Sequence, residues 1–491
     1  MAVRVLATDL RVVNMQTRMP FKYGIATLTA LPHVFLRVQL DVDGVKQWGV
    51  AADHLPPKWF TKKPTAPFES DIAEMLDVIG HARQVAEAVE EADSVFDLWM
   101  QVYTMQKRWA ANEKPDYPPL LWAFGVTLVE RAVISAFCQA AAVTFADAVR
   151  GNALGIRLGD IREPLEGKQP ADLLPKQPLQ SIIARHTVGL GDPITADEIA
   201  DAERVDDGLP QSLDECIAAY GLTHFKLKVF GDPDRDIARL LAIAQLVESS
   251  GVDTFRFTLD GNENYQSVEP FQQLWRELAG NAKFKRFMDG LLFVEQPLHR
   301  DVALSGETAA TFLDWEDRPP MIIDESDGEL DSLPRALACG YVGTSHKNCK
   351  GVFKGIANAC HIAMLNAENT AAEADRYVLS CEDLSNVGPV ALLQDLAVVA
   401  ALGIEHAERN GHHYFAGLSM FDQSLQQAVA AAHGDLYRRH EAGWPTLDVG
   451  DGRIEVASVT AAPFGVGFDF DATAFASIDD WSVDTLASLR T

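Results

Sequence analysis

From about Ile182 to Phe421, short apolar runs alternate with helical patterns, and this repeat constrains the fold more than any other feature of the chain. The strand-like runs are one ending near Leu190, then HFKLKVF, TFRFTLDGN, LLFVEQP, MIIDES, YVGTSHK, YVLSCED and HHYFAGLSMF. Helical segments such as DRDIARLLAIAQLVESS and GIANACHIAMLNAEN separate them. Repeated βα units with short connections build parallel sheets. About eight strands in roughly 240 residues fit a closed (β/α) barrel better than an open sheet.

The flanks have a different texture. VRVLATDLRVV and HVFLRVQLDV alternate apolar with polar residues, and Asp43-Gly44 marks an antiparallel hairpin turn. Between them PFKYGIATLTALP is expected to be a loop carrying Lys22 and Tyr23. Helical patterns run from about Phe68 to Arg150, and LLWAFGVTLVERAVISAFCQAAAVTFADAV reads as a buried helix pair. REPLEGKQPADLLPKQP, with four prolines, is a linker or surface excursion. Near the C-terminus GRIEVASV is expected to return to the N-terminal domain. The expected divisions are a capping domain over 1–160, a Pro-rich linker over 161–180, a barrel over 181–423 and a returning segment over 424–491.

Charge narrows the function classes. Among 491 residues, 42 Lys+Arg face 70 Asp+Glu, a net charge of −28. Such a surface repels phosphate backbones and anionic lipids, so nucleic-acid and membrane partners are not expected. The apolar stretch Ala132 to Ala146 is bracketed by Glu130, Arg131 and Asp147 and is too short for the ~20-residue span a bilayer requires. The N-terminus alternates like a strand and lacks the apolar block of a signal peptide. The six cysteines are scattered without a C-x-x-C pair, which suits reduced thiols in a cytoplasmic protein.

Period-two geometry locates the chemistry. In Phe225-Lys226-Leu227-Lys228-Val229 the apolar residues share one face and the lysines the other. In a barrel the apolar face meets the helices, so Lys226 and Lys228 point inward. The following strands end in Asp260, Glu295, Asp324 and Lys347. The steps from Lys228 are 32, 35, 29 and 23 residues, each about one βα unit. These groups therefore gather at the carboxyl ends of consecutive strands, where barrel active sites are built.

Three carboxylates from neighbouring strands, with no His or Cys in phase, suit a hard cation, Mg²⁺ before Mn²⁺. Asp260, Glu295 and Asp324 are the expected ligands, with Asn262 beside them. Lys228 lies one strand before this triad and Lys347 one strand after it, so a substrate carboxylate on the metal would lie between two amines. Loss of a proton beside a carboxylate gives an enediolate whose charge a divalent cation stabilises. A lysine base must be partly neutral, and Lys226 is expected to lower the pKa of Lys228 by repulsion.

The motifs FKLKVFG, LDGNENY, FVEQP, IIDES and SHKNCKG, in this order, resemble those of the enolase superfamily, in its mandelate racemase and muconate-lactonising branch. The PFKYG segment and GRIEVASVTAAPFGVGFDFD are similar to that family's opening and closing segments. The resemblance implies an α/β fold, a modified (β/α)7β TIM-type barrel with an α+β N-terminal capping domain completed by the C-terminal segment. It also implies Mg²⁺ on Asp260, Glu295 and Asp324, bases at Lys228 and Lys347, and Lys226 as electrostatic helper. Two departures stand out: Val50 in QWGVAAD replaces the acid common in the family, and AVISAFCQ lacks its usual Ala-x-x-Asp.

The supporting or substrate-facing candidates are Asn262, Glu325, Lys350, Glu382, Lys22 and Tyr23. Glu382 follows Lys347 by 35 residues, in phase with the rim. His346 should face the helices, and His412 and His413 read as structural. The expected function is a metal-dependent isomerase or lyase that removes the α-proton of a small carboxylate, giving racemisation, epimerisation or cycloisomerisation. β-Elimination, a Schiff-base aldolase and a non-catalytic binding homologue remain the alternatives. Acid-sugar dehydratases pair a His with an Asp on late strands, where this chain has Lys347, and FAGLSMF lacks the Asp-x-Asp of dipeptide epimerases. A homo-oligomer is compatible with all of these.

Overall fold

The computed structural model describes residues 1–369, 376–487 and 489. The N-terminal part opens with three antiparallel strands, β1 (Val3–Tyr23), β2 (Ala26–Val42) and β3 (Val45–His54). Asp43 and Gly44 join β2 to β3 with φ of 48° and 89°, the left-handed pair a two-residue hairpin turn requires.

PFKYGIATLTALP differs from its expected loop. β1 continues to Tyr23, β2 begins at Ala26, and those two residues are paired across Gly24-Ile25. The alternation explains it: Phe21, Ala26 and Leu28 are buried while Lys22 and Thr27 are exposed, so one face of the arm seals against the barrel.

Three helices cover the sheet: α1 (Phe68–Ala88), α2 (Val95–Glu113) and α3 (Pro119–Ala140). By length and composition α3 could cross a membrane, yet from Leu120 to Cys138 it is buried inside the fold. Its two internal charges are matched. Arg131 pairs with Asp53 at 2.9 Å, and the Glu130 carboxylate accepts the backbone N–H groups of Val352 and Phe353 at the start of a barrel helix. Close approach depends on glycine: a Cβ on Gly125 would lie 2.1 Å from the Val78 carbonyl of α1. Gly125→Ala should therefore destabilise the protein by about 1–3 kcal/mol through overpacking. Denaturant unfolding measures this, and an unchanged midpoint would mean that the helix pair has slack.

The barrel comprises eight parallel strands: β4 (Ser181–Val188), β5 (His224–Lys228), β6 (Arg256–Asp260), β7 (Leu291–Glu295), β8 (Met321–Ile323), β9 (Gly343–His346), β10 (Val378–Cys381) and β11 (His406–Glu408). Their order is β10-β9-β8-β7-β6-β5-β4-β11, and helices lie between successive strands. This is a curled (β/α)7β sheet whose end strands face each other. From β4, the strand paired with end strand β11, Arg185 reaches across to the Ser380 hydroxyl and the Cys381 carbonyl of β10 at the other end.

Two further segments depart from expectation. HHYFAGLSMF is not the last strand; Gly411–Tyr414 is a short helix, and β11 is the three-residue His406–Glu408 before it. Three residues are too few to show a period of two. Arg453–Glu455, from GRIEVASV, pairs antiparallel with β4 of the barrel, while Ala476–Ser477 pairs with β1. The six cysteines are free thiols.

Candidate active site

The charged rim is assembled by strand register. Lys228 is paired with Asp260, and Asp260 with Glu295, so side chains from β5, β6 and β7 stand at one level. Lys226, Lys228, Asp260, Glu295, Asp324, Lys347 and Glu382 are all buried. In the eight-strand order, β5 and β9 are four strands apart, so Lys228 and Lys347 approach from opposite sides.

Lys226 occupies the centre. Its Nζ lies 3.0 Å from Asp260, 2.9 Å from Glu295, 2.7 Å from Glu382 and 2.8 Å from Glu408. Burial disfavours its charge, but these four carboxylates outweigh burial and hold the ammonium well above the usual lysine range. Four anions thus surround the Lys226 ammonium that stands beside Lys228. Lys228 donates to Asp260 Oδ2 and Asn262 Oδ1, both at 2.8 Å. Lys347 lies 3.0 Å from both Asp324 and Glu382, with its Nζ 4.4 Å from the centre of the Trp59 ring.

The carboxylates are not equivalent. Burial would raise Asp324, but Lys347 and Lys350 hold it well below the usual range. Lys350 donates to Asp324 Oδ1 at 2.6 Å and is itself tied to Ser345, so it braces the carboxylate. Burial and the adjacent Glu382 push Glu295 well above the usual range. Among the described residues, Glu295 Oε2 and Glu382 Oε1 have no hydrogen-bond partner, and carboxylate oxygens of Glu295, Asp324 and Glu382 lie within 4.8 Å of one another. Close, buried, all-oxygen donors of this kind fit a hard divalent cation.

A cavity opens above these groups. Its floor includes Lys226, Lys228, Asp260, Asn262, Asp324, Lys347 and Glu382, and its apolar roof includes Phe21, Tyr23, Leu28 and Trp59. Arg300 fixes that roof. Its guanidinium donates to the Trp59 and Phe60 carbonyls at 2.9 and 2.8 Å and grips Glu263 with two bonds of 2.7 Å.

Of the remaining candidates, Tyr23 alone lines the cavity. Lys22 is exposed and lies along Gly191. Tyr23 lines the roof and donates its hydroxyl to the Pro57 carbonyl at 2.9 Å. Glu325 is buried behind the rim, where burial, then Asp324 and Glu263, push it up to about 8. His346 bonds to Asn348 at 3.1 Å, outside the cavity lining. His412 and His413 pack with His186 away from the cavity.

Sequence reasoning missed Trp59, Glu408 and Asn410, which also line the cavity. Glu408 follows Glu382 by 26 residues, one more βα step, and that spacing was the available signal. Placing the last strand at FAGLSMF hid it. FAGLSMF is not the last strand, so its lack of Asp-x-Asp does not bear on the substrate; β11 leads instead into Glu408 and Asn410.

No family model and no curated protein matches the chain. Solved structures do. A mandelate racemase/muconate lactonizing protein from Herpetosiphon aurantiacus aligns with TM-score 0.56 and 16% identity, covering 95% of this chain and 99% of that one. The chain has the fold of the mandelate racemase/muconate lactonizing branch of the enolase superfamily. A muconate lactonizing enzyme from Pseudomonas fluorescens, complexed with muconolactone, aligns with TM-score 0.58 and 15% identity over 96% and 98% of the two chains. An enolase from Bradyrhizobium, complexed with magnesium and mandelic acid, aligns with TM-score 0.55 and 14% identity over 96% and 98%.

Proposed function

We propose that the chain is an Mg²⁺-dependent isomerase of this branch that removes the α-proton of a small carboxylate substrate, in a racemisation, epimerisation or cycloisomerisation. The observation that carries this reading is the placement of two buried amines, Lys228 and Lys347, on opposite strands of a barrel rim lined by carboxylates. Asp260, Glu295 and Asp324 would hold the cation, with Glu382 adjacent, which requires the Lys226 ammonium to withdraw from the cluster. When bound, Mg²⁺ supplies positive charge to the substrate carboxylate and so favours loss of the α-proton.

The protein's own groups do the rest. Lys228 and Lys347 stand on opposite faces of the bound acid, one accepting the α-proton and the other able to return a proton from the far side. Asn262 orients Lys228 through the 2.8 Å bond, and Trp59 orients Lys347. The cap roof of Phe21, Tyr23, Leu28 and Trp59 excludes water and packs on the substrate's apolar part.

A screen of α-chiral carboxylates for deuterium uptake from D₂O tests the reading. Exchange should require Mg²⁺, stop in chelator and return when the metal is restored. Full exchange after exhaustive dialysis against EDTA would refute the metal assignment.

A further inference from the structure

A second cluster of metal-binding side chains lies outside the barrel interior. On β4, Arg185 and Thr187 serve the interior, since Arg185 reaches β10 and Thr187 bonds Glu408. His186 between them therefore points to the outer face. There it meets Cys216, on the helix Leu213–Tyr220, and His413, on the helix Gly411–Tyr414. All three are buried, and one ligand atom from each lies within 4.8 Å of the others.

We propose that His186, Cys216 and His413 supply three donors of a buried zinc site of mixed nitrogen and sulfur ligands, separate from the carboxylate pocket. Its donor chemistry is the opposite of the rim's. Two imidazoles and a thiolate suit a borderline-soft cation, whereas clustered carboxylates suit a hard one. The Cys216 Sγ to His413 Nδ1 distance is 3.5 Å. Bond lengths of tetrahedral zinc place neighbouring nitrogen and sulfur ligands about 3.6 Å apart, so this pair already has the spacing.

Hydrogen bonding leaves the cluster incomplete. Among the described residues, His186 Nδ1 and both ring nitrogens of the neighbouring His412 are buried without a partner. Unsatisfied buried polar atoms cost stability unless something supplies a partner. Binding would displace one proton, from the Cys216 thiol, to solvent.

The outer partners fit as well. His413 Nε2 lies 3.9 Å from Asp192, whose carboxylate accepts the Tyr414 hydroxyl at 2.6 Å. A carboxylate behind a ligating histidine is a common orienting device. Tyr414 stacks on Phe21 of the cavity roof with ring centres 4.0 Å apart, and Arg18 of β1 donates to the His413 carbonyl at 3.0 Å. A zinc ion here would tie β4, the following helix and the end of the barrel to the capping arm.

Cobalt substitution tests this in the full-length protein. After chelation and reloading, one tightly bound Co²⁺ per chain should give a thiolate-to-cobalt charge-transfer band in the near ultraviolet. Zn²⁺ should abolish that band and excess Mg²⁺ should leave it. Cys216→Ser should eliminate the band, and Glu295→Gln, at the carboxylate rim, should keep it. A wild-type protein with no such band, or a Cys216→Ser protein with the band intact, overturns the proposal. Wild-type melting provides a readout free of variant misfolding: zinc should raise the melting temperature of the chelated protein, and no shift counts against the site.

Discussion

Lys347→Ala is expected to abolish deuterium uptake on one face of an accepted α-chiral carboxylate while leaving uptake on the other. Lys228→Ala should produce the mirror result. The reason is positional: β5 and β9 are half a barrel apart, so each amine addresses one face of a substrate bound between them. Loss of a positioned general base costs about 10²–10⁴-fold in rate, so the affected face should fall to near background. Lys347→Arg should not restore it, because a guanidinium stays protonated and cannot accept the proton. Face-resolved NMR of the recovered acid makes the measurement. If both alanine variants slow both faces equally, the lysines act together on structure or binding, and the two-base reading fails.

Lys226→Met should destabilise the metal-free protein by about 3–5 kcal/mol, the usual cost of removing one partner from a buried ion cluster. The effect is large because Asp260, Glu295, Glu382 and Glu408 all share this ammonium. Without it, their mutual repulsion raises the carboxyl pKa values in the folded state above those of the unfolded chain. A raised carboxyl pKa contributes stability at low pH that is lost as pH rises, so the deficit should be smallest near roughly pH 5 and grow towards pH 8. Mg²⁺ should recover part of the loss, since a divalent cation supplies the missing positive charge and binds only the folded site. Urea unfolding in chelator and in Mg²⁺, across pH, measures both terms. A variant as stable as the parent at neutral pH would mean that the carboxylates are neutral, and the electrostatic account of the rim would fall.

Much of the fold was legible because the barrel repeats one simple signal. FKLKV and RFTLD show alternation over five residues, enough to assign a face, LLFVE is an apolar run that ends in Glu295, and each charged residue follows the last by about one βα unit. β11 broke the rule, because three residues carry no period and the more apolar YFAGLSMF nearby looked a better strand. The capping arm departs from its expected loop for a related reason: Gly and Thr suggest a loop, yet Phe21 and Leu28 on one face make a strand once a barrel lies beneath them.

The amino-acid order alone determined which side chains face inward and at which strand ends they stand, since pleat and repeat length depend only on local backbone geometry. Only the tertiary structure decided which ions touch. It placed Lys226 among four carboxylates, brought Glu408 beside Glu382 and set Trp59 over Lys347. Each of these contacts joins residues far apart in the chain, and electrostatic partners are fixed by distances of a few ångströms across the closed barrel, which no local pattern encodes.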